Sequence, residues 1–108
     1  MNSFLATKVL WFNQYKDMID DFGANFDNIA KAIGSDPRIG QSHTQVPGPD
    51  GRAGFGGACF SKDTSALVGF DRRNILSVLK LVVEENKVYR NKYELDNREK
   101  EQNVVYSQ

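Results

Sequence analysis

The feature that most constrains the fold is a long glycine- and proline-rich segment in the middle of the chain. Residues 34–57 contain seven of the nine glycines and all three prolines. This composition opposes regular helix and strand, because glycine loses much backbone entropy on folding and proline lacks an amide hydrogen. An irregular connection of this length inside a compact domain is usually either functional or disordered. We therefore expect regular structure on both sides of a long irregular loop, which either binds or reacts with a ligand or is disordered.

The residues before this segment predict two helices. Apolar residues recur at helical spacing from Leu5 to Phe22, and Gly23 is expected to end the first helix. Asn25 is a candidate N-cap of a second, shorter helix that ends at Gly34. No stretch of the chain shows the alternating pattern of a half-buried strand, so the expected fold class is all-α.

The residues after the segment predict a short third helix and a long fourth one. Ser61 is the expected N-cap of the third helix, and Asp71 is the expected N-cap of the fourth. Apolar residues at helical spacing extend the fourth helix from residue 72 to about residue 100. Residues 99–108 lack this pattern, and we expect them to fray or to be disordered.

Composition narrows the class of protein. With 108 residues the chain is expected to form one domain. Its 14 basic and 14 acidic residues give no net charge, which argues against nucleic-acid and membrane partners. A single cysteine cannot form an internal disulfide and suits a reducing compartment. We find no signal peptide and no membrane span, and therefore expect a cytoplasmic protein.

The motif with the clearest chemical potential is GFGGACFSKD, residues 54–63. Its glycines allow the backbone to approach a ligand, and Cys59 just ahead of a helix N-terminus would have its thiolate favoured. Asp63 could accept a hydrogen bond from a water or hydroxyl near the sulfur. Lys62 could lower the thiol pKa further, or point into solvent. A lone cysteine is more often a small buried residue, so the reactive and structural interpretations both stay open.

Two other residues, Arg38 and His43, and the width of the apolar helix faces also need an interpretation. Arg38 follows Pro37 and could bind a phosphate or carboxylate in bidentate fashion, or else neutralise the end of the second helix. His43, in the loop, is expected to be solvent-exposed rather than a general base. The apolar stripes are wider than one small bundle needs, which favours a partner chain or neighbouring domains.

Three segments together resemble the UDP-glucose/GDP-mannose dehydrogenase family, and specifically its central, all-helical dimerisation domain. They are NSFLATK at 2–8, DPRIG at 36–40 and GFGGACFSKDT at 54–64, in the family's order and approximate spacing. The resemblance covers about residues 2–95 and implies a domain at 1–98. The implied fold resembles the C-terminal-like domain of 6-phosphogluconate dehydrogenase, with a long C-terminal helix and a Gly/Pro-rich active-site loop.

The resemblance implies an oxidoreductase of polysaccharide biosynthesis. Family members oxidise the 6-hydroxyl of UDP-glucose, or of a related nucleotide sugar, to a carboxylate with two NAD molecules in succession. A cysteine attacks the intermediate aldehyde, the thiohemiacetal gives hydride to the second NAD, and the thioester is hydrolysed. The expected partners are therefore a nucleotide sugar and a second copy of the chain in a homodimer.

The resemblance also assigns roles to individual residues. The catalytic set is Cys59 as nucleophile, Asp63 in water positioning or proton transfer, and Asn2 at the start of the first helix. Arg38 corresponds to an arginine that reaches across the dimer to the partner's substrate. Lys62 is a candidate cofactor contact, and no metal is expected. The substrate is expected to lie against Gly54, Phe55, Gly56 and Gly57.

Parts of the family pattern are missing from these residues. The NAD-binding domain and the C-terminal UDP-binding domain are absent, and the family lysine that works with the cysteine would fall upstream of Met1. We therefore expect that the chain alone neither binds nor reduces NAD, and that a separate NAD-binding chain could supply that domain. The alternative is a stand-alone dimerisation or interaction module without catalytic activity.

Overall fold

The computed structural model describes residues 2–56, 58–101 and 103–106, which contain five helices and no strand. This confirms the expected all-α class. The helices are α1 (Asn2–Asp21), α2 (Phe26–Gly34), α3 (Ala58–Phe70), α4 (Ser77–Arg90) and α5 (Asn97–Glu101). None of the described helices is both long enough and apolar enough to cross a bilayer.

The helix α1 is the centre of the fold and packs against α2, α3 and α4. Its predicted end is confirmed, since Gly23 follows it with a φ of 73°. The predicted cap of α2 is confirmed as well, because the Asn25 side chain accepts a hydrogen bond from the amide of Asn28 at 3.0 Å. The two ends of α1 pack into separate apolar clusters. One contains Ala6, Leu10, Phe55, Val82 and Tyr89, and the other contains Phe12, Ile19, Phe26, Ala30 and Val46.

The predicted start of the third helix is wrong by four residues, since an N-cap at Ser61 places the first helical residue at 62. The helix α3 begins at Ala58, directly after the glycine segment, so Ser61 lies inside it rather than at its N-cap. The Ser61 hydroxyl is instead 2.7 Å from the hydroxyl of Tyr106, a residue far along the chain. Cys59 is therefore the second residue of α3, in its first turn rather than ahead of it.

The predicted start of the fourth helix is also wrong. The helix α4 begins at Ser77, because Asn74 adopts a left-handed φ of 55° that interrupts a helix. Asp71 still has a capping role, but on a turn. Its carboxylate accepts hydrogen bonds from the amides of Leu76 and Ile75 at 2.7 and 3.0 Å, and these bonds lower its pKa.

The prediction of one long final helix is wrong as well. The helix α4 ends at Arg90, and a separate helix, α5, begins at Asn97. A capping box starts α5: Asp96 accepts from the amide of Glu99 at 2.8 Å, and Glu99 accepts from the amide of Asp96 at 3.1 Å. Residues 99–108 were also expected to fray, but residues of this tail that the structure describes pack into the domain. Glu99, Val104 and Tyr106 are all buried.

Candidate functional site

A groove of about 660 Å³ lies between the glycine- and proline-rich loop and the start of α3. Gly54, Phe55 and Gly56 line one side of it, and His43 and Phe60 also face it. The structure thus brings together three of the four residues expected to line a substrate. The fourth, Gly57, lies outside the described residues.

Two buried asparagines hold the glycine segment in place. Asn13 on α1 accepts a hydrogen bond from the amide of Gly54 at 2.7 Å. Asn86 on α4 accepts from the amide of Phe55 at 2.8 Å and donates to its carbonyl at 2.9 Å. Gly54 has a φ of 77°, and a Cβ atom there would lie 2.6 Å from Asn86 Oδ1. Only glycine fits this position without displacing α4.

The side chain of Arg90, the last residue of α4, packs directly against the glycine segment at Gly56. Its side chain is almost completely buried, and a Cβ atom on Gly56 would lie 1.9 Å from its Nη2. The guanidinium pairs with Asp50 at 2.9 Å and with Glu99 at 3.4 Å. The buried positive charge is therefore compensated by two carboxylates, as burial of an ion requires.

Sequence reasoning missed these supporting residues. Asn86 did carry a signal, because it lies one helical turn after the buried Val82 on the apolar stripe of α4. A polar residue at such a position needs a buried hydrogen-bond partner. Asn13 likewise lies among the buried residues of α1. Nothing local to Arg90 indicates that the glycine segment packs against it.

The expected catalytic residues lie at two helix starts. Asn2 is the first residue of α1 and Cys59 is the second of α3, and their side chains lie outside the described part of the structure. Asp63 follows Cys59 by one turn, so the two share a face of α3. Asp63 and Lys62 are exposed and line a second cavity of about 520 Å³. That cavity also borders Phe55, so it adjoins the groove through this ring.

His43 is exposed, as expected, and it stacks on a ring of the groove. Its imidazole centroid is 5.8 Å from that of Phe60. The residue has a left-handed φ of 62°. Among the described residues, no group of histidine, cysteine and acidic side chains could hold a metal ion.

Arg38 does not line the groove. Its side chain is 89% exposed, and its Nη2 atom pairs with Asp36 Oδ2 at 2.7 Å. This hydrogen bonding lowers the pKa of Asp36. The adjacent backbone is fixed to α1, because Lys8 donates to the carbonyl of Ile39 at 2.7 Å. The structure therefore places Arg38 on a rigid, solvent-facing turn and does not bring it to the glycine segment.

Comparisons with known proteins agree on one family. Residues 1–88 match the model of the UDP-glucose/GDP-mannose dehydrogenase family, central domain. A UDP-glucose 6-dehydrogenase of Rickettsia felis is 40% identical over 88 residues, 80% of this chain and 18% of its own length. One from Rhizobium meliloti is 45% identical over 67 residues, 62% of this chain and 14% of its own. No solved structure shows significant similarity.

The chain spans less than a fifth of the length of these relatives. The matched part contains the glycine segment, the groove loop, α1 to α3 and most of α4. Residues beyond 88, including the end of α4 and all of α5, lie outside the match. Because the family model covers most of the chain, the chain belongs to the UDP-glucose/GDP-mannose dehydrogenase family, whose central domain it carries.

Proposed function

We propose that the chain supplies the nucleophile and the substrate loop of a nucleotide-sugar dehydrogenase that oxidises the sugar 6-hydroxyl to a carboxylate. The observation that carries this proposal is the groove itself. It is lined by Gly54 to Gly56, and these residues lead directly into the first turn of α3, where Cys59 lies. UDP-glucose is the substrate that the names of the relatives support.

The position of Cys59 suits covalent chemistry. The free amides at a helix start carry partial positive charge, which favours the thiolate form. A thiolate adds readily to an aldehyde, and the resulting oxyanion can be held by nearby backbone amides. Asp63, one turn later, would orient water for hydrolysis of the thioester. Asn2 would be a further hydrogen-bond donor, from the start of α1.

The hydride acceptor must be bound elsewhere. A dinucleotide-binding unit needs a strand before its glycine-rich turn, and no strand occurs in the described ranges 2–56, 58–101 and 103–106. These residues therefore do not fit NAD, and Lys62 would at most touch a cofactor held by another domain or chain. When bound there, NAD would accept hydride from the sugar carbon.

Cysteine reactivity tests the nucleophile. The rate of alkylation by iodoacetamide would be measured against pH, with Cys59→Ser as the blank, since the chain has one cysteine. We expect an apparent thiol pKa below the ordinary value of about 8.5. An ordinary value in the folded protein would count against an activated nucleophile.

Calorimetric titration tests the substrate loop. We expect saturable binding of UDP-glucose and weaker binding of GDP-mannose. Arg38→Ala should weaken binding only if Arg38 reaches a partner's groove, since it lies outside its own. Arg73→Ala, which removes an exposed arginine elsewhere, is the matched control. Absence of binding by the folded protein would contradict the proposal.

A second candidate is a dimerisation module, and the surface of α1 favours it. Three large apolar side chains on α1, and that of Phe22 just beyond its end, are 47–77% exposed at spacings of seven, seven and four residues. The three on α1 are Phe4, Trp11 and Met18. Such a stripe lies along one helix face and would be buried by a second copy. The two functions are compatible, because a dimer interface and a groove occupy different surfaces.

Light scattering tests the dimer. We expect a mass of about twice 12.2 kDa for the native chain. Trp11→Glu should give a monomer, whereas Val105→Glu, the same type of change at a 66% exposed site off α1, should not. A monomeric native chain would exclude the homodimer, and a dimeric Trp11→Glu variant would exclude this face.

A further inference from the structure

The end of the described chain forms a strap that lies outside the family match. We define the strap as residues 97–101 and 103–106, whereas the match ends at residue 88. The strap is nevertheless part of the packed domain. Glu99 is completely buried, and Val104 and Tyr106 are each 7% exposed. Its position is therefore set by specific contacts with the matched part of the chain.

A buried polar chain anchors the strap. The Tyr106 hydroxyl donates to Glu99 Oε2 at 2.5 Å and lies 2.7 Å from the hydroxyl of Ser61 on α3. Glu99 Oε2 also pairs with Arg90 on α4 at 3.4 Å. The strap is thus tied to both helices that flank the glycine segment, and the orientation of α5 is fixed.

This anchoring brings one residue of the strap, and the residue just before the strap, to the groove. Asp96, which caps α5, and Arg98, within it, both line the groove together with Gly54, Phe55 and Gly56. Arg98 immediately precedes the buried Glu99, so the anchor determines where its side chain can reach. The strap is therefore one wall of the groove.

The charges around the groove leave Arg98 available. Asp50 is paired with Arg90, and the Asp96 carboxylate accepts the amide hydrogen of Glu99. Arg98 is exposed and makes no hydrogen bond or ion pair with any residue that the structure describes. It is the permanent cation of the groove lining, and both acids of that lining already have partners.

We propose that Arg98 binds the phosphate groups of the ligand that occupies the groove. A guanidinium matches a phosphate with two parallel hydrogen bonds and keeps its charge at all physiological pH values. The proposal rests on the proposed function, since it takes a nucleotide sugar as the ligand. It adds a specificity-determining contact from a segment beyond the family match.

The test is calorimetric titration of the 108-residue chain with UDP-glucose and, separately, with uridine, which lacks phosphate. Arg98→Ala should weaken UDP-glucose binding about tenfold or more and leave uridine binding unchanged. Arg98→Lys should recover part of the loss. Lys100→Ala is the matched control, because Lys100 is an exposed cation on the same helix that does not line the groove. Circular dichroism would establish that each variant is folded.

The outcomes separate this inference from the proposed function. If Arg98→Ala binds UDP-glucose as tightly as Lys100→Ala does, the phosphate contact is wrong while the substrate groove stands. Equal losses in the UDP-glucose and uridine titrations would also overturn it, because the residue would then act on the groove's shape. No binding of UDP-glucose by the folded native chain would overturn both proposals together.

Discussion

Arg90 and Gly56 are packed so closely that any side chain at position 56 would displace the Arg90 guanidinium. A Cβ atom at position 56 would lie 1.9 Å from Nη2 of Arg90 and 2.3 Å from its Cζ. Arg90 cannot easily move aside, because its guanidinium is buried and paired with Asp50 and Glu99. The glycine motif beside Cys59 is thus shaped by a residue on α4, and not only by its own backbone freedom.

The first prediction follows from this contact. Gly56→Ala should lower the free energy of unfolding by about 2 kcal/mol, the typical cost of forcing an atom into a packed site. Gly69→Ala is the control, since nothing lies within 4 Å of the added atom. That change in α3 should raise stability by about 0.5–1 kcal/mol. Urea denaturation measures both, and equal effects of the two would contradict the packing argument.

Asn86 is the second residue whose removal should be costly. Asn86→Ala leaves the buried amide and carbonyl of Phe55 without partners, and we expect a loss of about 2–4 kcal/mol. Asn91→Ala changes an exposed asparagine just beyond the end of the same helix and should shift stability by less than about 0.5 kcal/mol. Thermal unfolding of the two variants side by side is the measurement. Similar midpoints would show that Phe55 finds other partners.

The parts of the fold that were predictable depend on local interactions. The end of α1 follows from Gly23 and the start of α2 follows from Asn25. The effect of each residue reaches only a few positions along the chain. The break between α4 and α5 also has a local signal, the capping pair Asp96 and Glu99, although the apolar spacing continues across it. Periodicity alone cannot show where a helix is interrupted.

The parts that were not predictable depend on contacts between distant residues. Ser61 looked like an N-cap, yet its hydroxyl lies against Tyr106, 45 residues along the chain. The glycine lining of the groove was predicted, because glycines in a loop permit close approach of a ligand. The residues that hold this lining, Asn13, Asn86 and Arg90, lie on two other helices. No pattern within the motif indicates them.

Thr64 provides a third prediction, of the opposite sign. Its side chain is 1% exposed, and its hydroxyl has no hydrogen-bond partner among the described residues. Thr64→Val replaces the hydroxyl with a methyl group of similar size and should raise the free energy of unfolding by about 1 kcal/mol. Thr7→Val is the control, because the Thr7 hydroxyl donates to the carbonyl of Ser3 at 2.9 Å. That variant should lose stability, and a loss at Thr64 as well would contradict the expectation.

The fourth prediction concerns stability at high pH. Burial, together with the hydrogen bond to Glu99, raises the pKa of Tyr106 to about 12, from an ordinary value near 10. Below pH 10 the phenol is protonated in the folded and unfolded chains, so its contribution to stability is complete. Between about pH 10 and 12 the unfolded chain releases the proton first, and stability falls by up to about 2 kcal/mol.

Two phenylalanine substitutions separate the tyrosines that contribute to this fall. Burial and the hydrogen bond to Asp17 also raise the pKa of Tyr89, so it should add to the same loss. Urea midpoints measured from pH 8 to pH 11.5 should fall less steeply in Tyr106→Phe and in Tyr89→Phe than in the native chain, and least steeply in the double variant. An unchanged slope in Tyr106→Phe would mean that the phenol is hydrated, and that the strap is not anchored through Glu99.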